Sequence, residues 1–95
     1  MTNKITFFAI VGRGATADRP LGLVRRLQYD NGWEDEVLRK DFSWRRSPLI
    51  VEWERGSYEN ELVEVSHEQA SGIVQYLRKK FADPGEQPAD PDPGP

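Results

Sequence analysis

The single histidine, His67, stands between Ser66 and Glu68, and the chain contains no cysteine. A thiolate zinc site, a disulfide framework, an iron-sulfur cluster and a cysteine nucleophile are therefore excluded. Ser57, Ser66 and Ser71 are the hydroxyls that a Ser-His-Asp relay could recruit, yet none lies in a nucleophile elbow. His67 reads instead as an exposed first-turn helix residue. Carboxylates are plentiful, as in Glu34-Asp35-Glu36, Glu52 with Glu54, and Glu59, Glu61 and Glu64. Acid-base work needs two of them in unlike environments of one cleft, and spacing along a chain points no further than a solvated surface. Gly12-Arg13-Gly14 follows an apolar run as a phosphate-binding loop would, but it lacks the GxGxxG and GxxxxGK[ST] spacings. Residues 15–20 after it do not read as a helix, so a flexible connection is expected. No catalytic residue, metal ligand or cofactor is assigned, and the chain is expected to be no enzyme.

The arginines and aromatics carry more. Ten aromatic residues make up 11% of the chain, and the first half interleaves Tyr29, Trp33, Phe42 and Trp44 with Arg25, Arg26, Arg39, Arg45 and Arg46. Tryptophan and arginine dominate protein interface hot spots. Trp33 and Trp53 are expected inside the core, whereas Trp44-Arg45-Arg46 is the segment least explained by packing. The expected interaction surface is thus Trp44, Arg45 and Arg46, with Arg25, Arg26 and Arg39 beside them. Its partner would be a protein or a second copy of the chain pairing along an open strand. The alternative is single-stranded nucleic acid, with arginines on phosphates and aromatic rings on bases. A sequence pI near 5.1 speaks against that alternative. A small-molecule-binding protein or enzyme ranks third, since so small a domain has little volume to enclose a cleft.

These side chains must be held by one small domain, because 95 residues with 37% hydrophobic content leave no room for a second core. No apolar run approaches the roughly 20 residues that cross a bilayer. The longest, residues 7–11, is also shorter than the roughly 7 to 15 of a secretory leader's core. A cytoplasmic protein with no membrane partner and no metal is expected, and the absence of cysteine agrees with a reducing compartment. The net charge of -3 conceals an asymmetry. Residues 1–48 hold nine bases against six acids, and residues 49–95 four against ten.

Residues 82–95 contain five of the seven prolines, four acids and no base. They are expected to form a disordered acidic tail on a single domain of residues 1–81, because nothing in them offsets the entropy of ordering. The clearest element is a C-terminal helix. Ser66 with Gln69 makes a capping box, Val65 and Ala70 a hydrophobic staple, and Ala70, Ile73, Val74, Leu77 and Phe81 form one apolar stripe. Arg78, Lys79 and Lys80 suit the negative end of its dipole, and Asp83-Pro84 ends it.

Residues 4–11 read as a central strand, apolar on both faces. Residues 21–29 and 33–40 read as a hairpin across Asp30-Asn31-Gly32, with a three-residue bulged loop pairing Tyr29 with Trp33, Val24 with Leu38 and Arg26 with Glu36. Ser47-Pro48 opens and Gly56 closes a short middle helix over residues 49–55, although Ile50, Val51 and Trp53 make a strand the competing reading. Residues 62–65 complete the sheet. The fold expected is α+β: about four antiparallel or mixed strands covered by the C-terminal helix. Residues 8–14, 19–26 and 52–56 resemble segments of short uncharacterised single-domain proteins of high-GC bacteria, a resemblance that implies one domain and carries no activity.

Overall fold

The computed structural model describes residues 3–82. The elements are β1 (Lys4–Val11), β2 (Gly22–Tyr29), β3 (Gly32–Leu38), β4 (Trp44–Arg46), α1 (Leu49–Glu54), β5 (Glu61–Val65) and α2 (His67–Ala82). The strands form one sheet in the order β4-β3-β2-β1-β5, every neighbouring pair antiparallel. This is the α+β class that the hydrophobic pattern predicts, with one strand more. Of the expected acidic tail over residues 82–95, Ala82 belongs instead to α2, and residues 83–95 lie outside the described residues.

Alternation along β1 explains why the sheet sits between two helices. Phe7, Ala9 and Val11 point to one face, where Ala9 packs with Leu23, Val65 and the α2 residues Ala70, Ile73 and Leu77. Phe8 and Ile10 point to the other, where Ile10 packs with Val24, Leu62 and Ile50 of α1. A strand apolar on both faces requires cover on both. Burial of these side chains supplies most of the driving force, at roughly 25 cal/mol per Å² of apolar surface.

The capping box of α2 is reciprocal. Gln69 N donates to Ser66 Oγ at 3.0 Å, and Ser66 N donates to Gln69 Oε1 at 2.8 Å. His67 is exposed, with Nε2 2.8 Å from the Ile5 carbonyl oxygen and its ring edge-on to Phe7. The helical reading of the middle segment holds: Leu49 N donates to Ser47 Oγ at 3.1 Å, and Gly56, at φ +82°, follows the end of α1. Gly12-Arg13-Gly14, expected as a flexible connection, forms a tight turn. Ala15 N donates to Gly12 O at 2.8 Å, and both corner residues, Arg13 and Gly14, have positive φ, as in the hairpin turns that match strand twist.

The β2–β3 hairpin departs from the expected register by one residue. Its loop is Asp30-Asn31, with Tyr29 opposite Gly32, Val24 opposite Val37, Arg25 opposite Glu36 and Arg26 opposite Asp35. The expected register would have paired one arginine with a carboxylate and set Arg25 against Val37. The observed one pairs both, on opposite faces of the sheet, and Gly32 accepts the φ of +150° that the tighter loop demands. Trp33, expected inside, is 56% exposed. Its ring has the Arg26 guanidinium 5.1 Å from its centre and borders an open cavity shared with Pro48 and Val51, so α1 covers it only in part. Trp53 is half-buried against Phe8 and the Ile50 cluster.

Candidate interaction edge

Three arginines of the expected surface are committed to carboxylates. Arg25 lies on the α2 face, its guanidinium 2.6 Å from Glu36 and stacked 4.0 Å from the centre of the Trp44 ring. Arg26 lies on the α1 face and clamps Asp35 through two bonds, Nε to Oδ1 at 2.8 Å and Nη2 to Oδ2 at 2.9 Å. It also reaches Glu54 of α1 at 3.1 Å. The bonds to Asp35 hold the Arg26 guanidinium still more firmly in its charged form, against the opposing effect of burial. Arg46 is exposed and meets Glu34 at 2.6 Å. Such a pair between solvated side chains contributes little.

Arg39, Arg45 and a residue that the sequence reading passed over, Lys40, form no ion pair among the described residues. All three are exposed. They border a groove of about 710 Å³ lined by Val37, Leu38, Arg39, Lys40, Asp41 and Arg45. A chain of hydrogen bonds through Ser43 links two of its lining residues, Arg45 and Asp41. Arg45 Nε donates to Ser43 Oγ at 3.4 Å, and Ser43 donates to Asp41 Oδ1 through its hydroxyl at 2.6 Å and its amide at 3.0 Å. Those Ser43 bonds, helped by the charges of Arg45 and Arg39, hold the Asp41 carboxyl below the usual aspartate range. Phe42 takes a left-handed φ of 65°, uncommon for an aromatic residue; its ring is tilted against Phe81 and has the Arg78 guanidinium over it.

The edge itself comes from β4. Arg39 N donates to Ser43 O at 2.9 Å and Ser47 N to Asp35 O at 3.0 Å, with Arg45 opposite Val37 between them. Residues 43, 45 and 47 therefore face β3. By the alternation of an antiparallel ladder, the backbone N–H and C=O groups of Trp44 and Arg46 point away from the sheet. Among the described residues β4 has no neighbouring strand on that side. Trp44 is half-buried, packed by Phe7 on one side and covered by Arg25, while Arg45 and Arg46 are exposed.

The structure thus separates the six expected surface residues into two groups. Trp44, Arg45, Arg46 and Arg39 share the β4 edge, whereas Arg25 and Arg26 are internal ion-pair partners on opposite faces. The Asp41-Phe42-Ser43 sequence carried a signal for the tip that went unread, since an aspartate two residues before a serine favours a turn closed on its own backbone. No group of three metal-capable side chains occurs among the described residues. None of their helices is long and apolar enough to cross a membrane. Comparison of the chain with protein-family models, curated proteins and solved structures gives no match.

Proposed function

We propose that this domain is a non-enzymatic interaction module that takes an extended acidic segment of a protein against β4 as a sixth strand. The observation that carries the reading is the open edge: outward backbone groups at Trp44 and Arg46, flanked by Arg39, Lys40 and Arg45, none of them ion-paired among the described residues. Strand addition draws affinity from main-chain hydrogen bonds, and flanking charge selects the sequence that is accepted. Nucleic acid is the weaker fit. Phosphates would have to displace Glu36 and Asp35 from Arg25 and Arg26, and the face of Trp44 on which a base would stack already holds a guanidinium.

The test is fluorescence anisotropy with a labelled peptide of alternating glutamate and valine, read against a labelled oligothymidine of similar charge. Binding of the peptide, lost in Arg46→Pro, is the expected outcome. Because the Arg46 N–H points to solvent, proline there removes no ladder bond of the sheet; beyond the exposed pair with Glu34, it takes away a donor that a docking strand would use. Equal peptide binding by Arg46→Pro, with the fold retained by circular dichroism, would overturn the reading.

A further inference from the structure

We infer that the acidic strand fitting β4 is β5 of a second copy of this chain, so that the molecule assembles head to tail through the two edges of its sheet. The inference rests on the reading of β4 as an acceptor of acidic strands. β5 is the opposite edge, with β1 as its sole neighbouring strand among the described residues. It carries Glu61, Glu64 and Val63, the last 40% exposed. Glu64 is exposed and forms no ion pair among the described residues, which is the condition of Arg45 on the other edge.

Direction and facing agree as well. β4 is three antiparallel steps from β1 and β5 is one, so β4 and β5 run the same way. A second copy displaced sideways, with its α2 face on the same side, therefore lays its β5 parallel to β4. Side chains then match face for face at one offset. Trp44 meets Val63 on the α2 face, where Val65 and Phe7 also lie. Arg45 meets Glu64 on the α1 face, where Val37 and Phe8 lie opposite them in the ladder. At that offset Glu61 falls beside the hairpin tip that bears Arg39 and Lys40. The contact is heterologous and does not close on itself, so copies add in an open row. A three-residue strand buries less than a standard stable interface, and assembly is accordingly weak and dependent on concentration and salt.

The full chain is examined by sedimentation velocity across a concentration series at low and high salt. The expected result is a weight-average sedimentation coefficient that rises with concentration and falls back in high salt. Arg45→Glu alone and Glu64→Lys alone should each weaken association at least about tenfold, because like charges then face each other. The double variant R45E/E64K, which exchanges the two charges, should recover it. Circular dichroism confirms folding of each, since both positions are exposed. A wild-type chain that stays monomeric throughout, or a double variant as weak as the singles, overturns the inference. If the glutamate-valine peptide still binds β4 in that case, only the identity of the partner has failed; if it does not, the reading of β4 fails too.

Discussion

Asp35→Asn gives the most direct measure of what the buried Arg26–Asp35 pair contributes in joining β2 to β3. The Asp35 side chain is 6% exposed and accepts two bonds from Arg26, whose own side chain is 18% exposed. Removing one partner of a fully buried ion pair costs about 3–5 kcal/mol, because the other charge is left uncompensated. Arg26 keeps Glu54 at 3.1 Å and some access to water, so the expected loss is about 2–3 kcal/mol. For a domain of this length that corresponds to a fall in Tm of about 10–20 °C. Urea unfolding followed by tryptophan fluorescence measures it, provided the denaturant slope is unchanged. Two companions isolate the cause. Glu34→Ala removes the exposed partner of Arg46 and should cost about 0–1 kcal/mol. The apolar pair R26M/D35L should lie much closer to wild type than Asp35→Asn does, since neither charge is then stranded. A loss in Asp35→Asn no greater than that in Glu34→Ala would refute the reasoning.

Gly72 lies in α2 with no atom within 4 Å of an added Cβ, so Gly72→Ala should stabilise by up to about 1 kcal/mol in thermal melts. Gly32→Ala meets no atom either, but at φ +150° it is expected to cost about 1–3 kcal/mol; equal stability would show that the loop relaxes freely. Asp41 has a folded-state pKa below its unfolded value, so its contribution is present above the ordinary aspartate range and lost as pH falls through the lowered value. The Tm difference between wild type and Asp41→Asn should therefore shrink on acidification below about pH 4, and a difference that is constant with pH would count against a charge effect.

How far the sequence reveals this fold depends on how much of each element's conformation is set locally. β1 and α2 were legible because alternation in the one, and apolar periodicity with a capping box in the other, are set within a few residues. The β2–β3 register was not, because loops of two and of three residues both suit Asp30-Asn31-Gly32 and the choice between them lies in two distant Arg-carboxylate pairs. β4 was hidden for a related reason. Three residues contain no period to read, and their extended form depends on bonds to β3 that a chain-local reading does not contain. Of the surface, Trp44, Arg45 and Arg46 were singled out by residue type, but that Arg25 and Arg26 are already partnered follows only from the register.

Ser66 is the sole residue between β5 and α2, and its hydroxyl and amide are both engaged in the helix cap. With no slack at that junction, displacement of the strand must carry the first turn of the helix with it. Amide hydrogens of Leu62 to Val65 and of Ala70 to Ile73 are then expected to exchange with solvent as one cooperative unit, at a common opening free energy. Whatever grips the outside of β5 would slow exchange deep in a helix that it never touches.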